Sequence, residues 1–123
     1  MASTEPRGPR QIIQAARYSA QGFAAAWRFE SSFRLEMYLA FVLVPAAFWL
    51  GRNALERVVL AAVVLLVPTM ELMNSALEAI VDKTTPEMHL LAGRAKDMGS
   101  ATVTAAMLIM LLVWSTLILD QIP

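Results

Sequence analysis

Residues 98–119 form 22 consecutive positions without a charged side chain. As a helix rising 1.5 Å per residue, such a run crosses the ~30 Å hydrocarbon core of a bilayer. No water is available there, so backbone N–H and C=O groups must pair within the segment, which for a chain of this size means α-helix. Two further apolar stretches, about 33–50 and 54–82, are long enough to cross as well. With 123 residues that are 58% hydrophobic, the chain has room for three or four spans and too little polar surface for a water-soluble domain.

The local signals punctuate these spans. Gly51 offers a stop to the first. Asn53 with Glu56 three residues later resembles a capping box that starts the second near Ala54. The run Asp82-Lys83-Thr84-Thr85-Pro86 ends it, with Thr85 expected as the cap and Pro86 as the first residue of the next helix, whose membrane part covers about 96–119. Pro45 and Pro68 fall inside spans one and two and predict local kinks. Gly99, Ser100 and Ala101 at the head of span three allow close helix approach.

Ahead of the spans, residues 1–9 are polar and proline-containing, as expected of a disordered tail, and no apolar leader core follows their charges. From 10 to 28 the spacing predicts an amphipathic helix. Ile12, Ala16, Ala20, Phe23 and Trp27 fall within about 80° of arc, opposite Arg10, Gln14, Arg17, Gln21 and Arg28. A basic helix with aromatic residues on its apolar side is suited to lie in the plane of a membrane surface. Lys and Arg then orient the chain. Eight lie in the N-terminal region or between spans two and three, and two (Arg52, Arg57) between spans one and two, which puts the N-terminus in the cytoplasm. Ten basic and ten acidic residues balance, which argues against a nucleic-acid partner. The absence of cysteine excludes disulfides and thiolate chemistry.

The chemistry concentrates on span two. Glu71, Asn74, Ser75, Glu78 and Asp82 share about a 100° arc of one helix face. An ionisable side chain at the centre of a membrane helix costs roughly 2.5–3.5 kcal/mol on insertion scales, so such a stripe calls for a cation, a proton or a polar ligand. The topology brings Glu30, Arg34 and Glu36, Glu78 and Asp82, and Lys96 and Asp97 to similar depth at the cytoplasmic boundary. Glu71 lies about 10 Å deeper. Hard carboxylates without His or Cys partners suit Mg²⁺, whose shell phosphate oxygens complete, and Lys96 is placed to meet phosphate. A carboxylate in apolar surroundings suits a general base acting on a hydroxyl. Together these are the parts of phosphoryl transfer from a cytosolic nucleotide to a lipid alcohol. The same carboxylates also describe a small proton- or cation-coupled transporter, and no phosphate-binding glycine loop is present.

Two stretches carry a resemblance. Glu71-Leu-Met-Asn-Ser-Ala-Leu-Glu78-Ala-Ile-Val-Asp82 and Gly93-Arg-Ala-Lys-Asp-Met-Gly-Ser-Ala101 resemble the signature segments of the small bacterial integral-membrane diacylglycerol kinases. Ala15-Ala-Arg-Tyr-Ser19 and Ala25-Ala-Trp-Arg-Phe-Glu30, followed by Phe33, Arg34 and Glu36, are similar to the family's N-terminal segments. The likeness extends over about residues 10–120.

It implies an all-α membrane protein: a surface helix plus three transmembrane helices (29–123), assembled as a homotrimeric bundle in the bacterial inner membrane with sites shared between subunits. It implies an ATP- and Mg²⁺-dependent kinase that converts diacylglycerol to phosphatidic acid, with undecaprenol the alternative alcohol within the family. By motif position, Glu71 is the expected base, and Glu30 and Glu78 the expected metal ligands. Tyr18, Glu30, Glu78, Glu87, His89, Lys96 and Asp97 are expected around ATP. Ala16, Trp27, Ser32, Glu36, Trp49, Arg57, Glu71 and Ser100 are expected along the lipid, with Asn74 and Asp82 in support. Gln11 (where an arginine is expected), Met88 (an aromatic) and Pro68 depart from the family pattern.

Overall fold

The computed structural model describes Thr4, Pro6, residues 8–85, Glu87 and residues 89–123. Most of the expected tail, along with Pro86 and Met88, lies outside the described residues. The described chain is helical: α1 (Pro9–Phe29), α2 (Ser31–Leu50), α3 (Ala54–Thr84) and α4 (Leu90–Asp120). Helices α2, α3 and α4 are each long and apolar enough to cross a membrane.

A single extended residue, Glu30 (φ −113°, ψ 103°), separates α1 from α2. Its N–H donates to Ala26 O (2.9 Å), and its carbonyl accepts from Arg34 N (3.2 Å). Arg34 Nη1 reaches back to Trp27 O at 2.7 Å and Arg28 O at 3.2 Å. A cation there satisfies carbonyls that the end of α1 leaves without intrahelical partners. The backbone break therefore carries an acidic side chain at a fixed corner.

Helix α3 is central and packs against both α2 and α4. One cluster joins Ala47, Leu60 and Ala61 to Val44, Leu50, Val113, Trp114 and Leu117. A second joins Val67, Val103 and Ala106 to Leu66, Met70 and Met110. Alanine and valine dominate because membrane helices gain little from burying large apolar groups that lipid already solvates, and small side chains bring backbones close. Trp114 Nε1 donates to Leu60 O across the α3–α4 interface (3.1 Å). The large apolar side chains of Leu35, Phe41, Phe48, Leu65, Leu108 and Leu112 point outward instead.

Several boundaries differ in detail from the sequence reading. Asn53 Oδ1 accepts from Glu56 N (2.9 Å), but the Glu56 carboxylate bonds the Arg52 N–H (2.8 Å) rather than closing the box on Asn53. Gly51 ends α2 in an extended conformation (φ −66°, ψ 128°), not a left-handed one. It is needed for space: a Cβ there would lie 2.8 Å from Arg57 N. Thr85 closes α3 rather than capping α4, which opens at Leu90 with His89 Nδ1 accepting from Leu91 N (3.1 Å). Helices α2 and α3 run continuously through Pro45 and Pro68.

Candidate active site

Among the described residues, three polar side chains are buried: Glu36 and Glu71 (each 7% exposed) and Asn74 (8%). They meet in one place. A cavity of about 350 Å³ between α2, α3 and α4 is lined by Glu30, Ser32, Glu36, Glu71, Asn74, Glu78 and Ser100, with Val103, Thr104 and Met107 behind them. The carboxyls of Glu30, Glu36, Glu71 and Glu78 thus share one cavity. Asn74 Nδ2 donates to Glu78 Oε1 at a long 3.5 Å. Glu36 Oε2, Asn74 Oδ1 and Ser75 Oγ are buried with no hydrogen-bond partner. A buried polar atom left unpaired costs about 1–3 kcal/mol, a cost expected where a site is built for a ligand.

Local structure explains how these groups converge. Glu30 projects from the α1–α2 corner, and Ser32 and Glu36 follow on the first turns of α2. Glu71, Asn74 and Glu78 are spaced 3 and 4 apart on α3, so they stack on one face. On α4, Ser100 and Thr104 face them one turn apart, and bare Gly99 lets that helix come close to Asn74.

A second cavity, about 520 Å³, opens beyond the end of α3. Asp82, Thr85, Glu87, His89, Arg94, Lys96 and Asp97 are among its walls. Lys96 Nζ donates to Asp82 Oδ1 at 2.9 Å. Both partners are well exposed, so the pair is worth at most about 1 kcal/mol and opens readily to a competing anion. Asp82 is one turn beyond Glu78 on α3, so the two cavities are neighbours along one helix.

The remaining expected positions lie elsewhere in the protomer. Ala16 and Tyr18 are on the exposed face of α1, and Trp27 packs edge-on against Tyr38 (centroids 5.4 Å apart). Trp49 and Arg57 sit at the opposite end of the bundle. Arg57 is 14 residues from Glu71 on α3, about 21 Å away, with its Nε on Gly51 O (3.1 Å). Thr104 and Arg94 line the cavities without having been singled out. The i,i+4 spacing of Thr104 from Ser100 was the available signal for the first. Arg94, one turn after Leu90, reads in sequence as one more boundary charge, and its place on the cavity wall depends on how α4 packs past the end of α3.

The family profile described as prokaryotic diacylglycerol kinase matches residues 17–118. The chain belongs to this family. Among its relatives, the diacylglycerol kinase of Escherichia coli K12 is 45% identical over 111 residues, covering 90% of this chain and 91% of that one. The Haemophilus influenzae diacylglycerol kinase is 44% identical over 107 residues (87% and 91%), and that of Helicobacter pylori 26695 is 35% identical over 113 (92% and 88%). As a prokaryotic diacylglycerol kinase family member, the chain is a kinase, and its three long apolar helices make it a membrane protein. Family membership speaks against the transporter alternative.

Among the described residues, no three acidic or histidine side chains form a ready-made cation cage. What the cavity offers instead is a pair of carboxylates, Glu30 and Glu78, with open space beside them. That donor set fits Mg²⁺, which keeps most of its shell for water and phosphate oxygens and takes one or two protein carboxylates.

Proposed function

We propose that this protein transfers the γ-phosphate of ATP to the hydroxyl of diacylglycerol, giving phosphatidic acid, at the cytoplasmic face of the bacterial inner membrane. The observation that carries this reading is the burial of Glu71 beside Asn74 in a cavity that also presents Glu30 and Glu78. In this reading the lipid hydroxyl enters near Glu71, and Ser100 and Ser32 offer it hydrogen bonds. Glu71 takes the hydroxyl proton as the oxygen attacks the γ-phosphorus and the bond to ADP breaks. Glu30 and Glu78 would hold Mg²⁺, which when bound would neutralise charge on the phosphates. Lys96, once released from Asp82, binds phosphate oxygens, and Asp97, Glu87, His89 and Tyr18 border the nucleotide. Asn74 and Asp82 hold these groups in place.

With Glu36 inside the cavity, Ala16, Trp27, Trp49 and Arg57 outside it line the path of the lipid in this proposal. Their spread beyond one protomer's cavity is consistent with a homotrimer in which neighbouring subunits complete each site. The reading also places α1 along the membrane surface and the chain ends of α1 and α3 on the cytoplasmic side.

The test supplies purified protein with ATP labelled in its terminal phosphate, Mg²⁺, and either diacylglycerol or undecaprenol in mixed micelles. Label in phosphatidic acid, abolished by chelation of the metal, is the expected outcome. Label only in undecaprenyl phosphate would reassign the substrate, and label in neither lipid would overturn the reading.

A further inference from the structure

We propose that Gly99 is a positioning residue for the acidic cavity, acting through Asn74 on Glu78. This rests on the reading that Glu30 and Glu78 hold the metal–nucleotide complex. Gly99 is buried on the first part of α4, facing α3. A methyl group at this position would overlap Asn74 Oδ1 and lie 3.4 Å from Asn74 Cγ, while its contact with Leu77 Cδ2, at 3.5 Å, would be ordinary. The obstruction is therefore one side chain.

Asn74 has little freedom to yield. It is 8% exposed, and its Oδ1, directed at the bare face of Gly99, has no hydrogen-bond partner. Among the described residues its Nδ2 is the one side-chain donor on Glu78 Oε1, already stretched to 3.5 Å. Any rotation of the amide away from an added Cβ breaks that contact, and any retreat of α4 carries Ser100 and Thr104 away from Glu71. Partners one step removed from a metal carboxylate alter affinity by roughly 10–100-fold when lost. Gly99 thus fixes where Glu78 presents its carboxylate, without itself reaching a ligand.

The test uses the full chain in detergent and compares the parent with Gly99→Ala, Asn74→Ala, their double variant, and Gly22→Ala, where an added Cβ meets open space. Mn²⁺ binding in the presence of a non-hydrolysable ATP analogue is read by electron paramagnetic resonance, alongside the Mg²⁺ concentration for half-maximal turnover. Gly99→Ala is expected to weaken Mn²⁺ binding roughly tenfold or more, and Gly22→Ala to leave it unchanged. Asn74→Ala removes the obstruction, so the double variant should bind as Asn74→Ala does. The proposal is overturned if Gly99→Ala binds like the parent, or if its loss persists undiminished beside Asn74→Ala. Should Gly99→Ala fail to fold, the double variant is expected to fold as Asn74→Ala does, and its failure would equally overturn the proposal. No Mn²⁺ binding by the parent would instead strike the metal reading on which the proposal depends.

Discussion

At the scale of single residues, the distinction that matters is between charges held by partners and charges left for a ligand. Asp82 and Lys96 neutralise each other in an exposed pair worth little, so breaking that pair should hardly change stability. If Lys96 serves phosphate, Lys96→Met raises the KM for ATP at least tenfold while the thermal midpoint stays near that of the parent. An unchanged KM would return Lys96 to the role of a boundary charge. Glu78 has only a weak bond from Asn74. Glu78→Gln should therefore fold normally and require more Mg²⁺ for half-maximal turnover by at least the roughly 10–100-fold typical of losing a ligand's supporting partner, measured by titrating metal at saturating ATP. The stripe from Glu71 to Asp82 was legible in the sequence because helical spacing alone stacks those positions. The meeting of Glu36 with Glu71 was not, since it depends on the depth at which α2 crosses α3.

At the scale of helices, the spans were legible because uncharged length is a strong signal, whereas the ends were decided by contacts that local sequence does not display. Helix α4 opens at Leu90, after the expected start at Pro86, because the His89 side chain accepts from Leu91 N there; Ala92 and Ala95 are partly buried and Gly99 is buried along a segment that also carries Arg94, Lys96 and Asp97. Gly51 announced a helix end, but its reason is the backbone of Arg57 pressed against it. Gly51→Ala accordingly forces α2 and α3 apart at their turn. A loss of about 1–3 kcal/mol is expected from such overpacking, read as a lowered thermal midpoint in micelles. Trp114 gives the complementary case. Trp114→Phe keeps most of the packing and loses the bond to Leu60 O, for which membrane interhelical bonds suggest about 0.6 kcal/mol.

At the scale of the whole molecule, the two ends of the bundle are built differently. At one end Arg52 bridges Glu56 (2.7 Å) and Asp120 (2.6 Å), and Gln121 Nε2 donates to Leu50 O (2.8 Å), tying the end of α4 to the α2–α3 turn. At the other end, beside the acidic cavities, the described residues show one exposed ion pair between helices, Lys96 with Asp82 at 2.9 Å. The proposed topology predicts which end faces the cytoplasm. Because the chain has no cysteine, Thr4→Cys and Ile122→Cys report on one site each. In spheroplasts an impermeant maleimide should label Ile122→Cys at once and Thr4→Cys only after lysis; the reverse order would invert the protein and place the carboxylates on the wrong side for ATP.

If a carboxylate sunk among helices activates a lipid hydroxyl, a single-turnover comparison of the parent with Glu71→Gln will reveal it. With ATP, Mg²⁺ and diacylglycerol saturating, the variant should bind nucleotide as the parent does while transferring phosphate about 10²–10⁴-fold more slowly, the usual contribution of a positioned general base. Transfer by Glu71→Gln at the parent's rate would contradict the account.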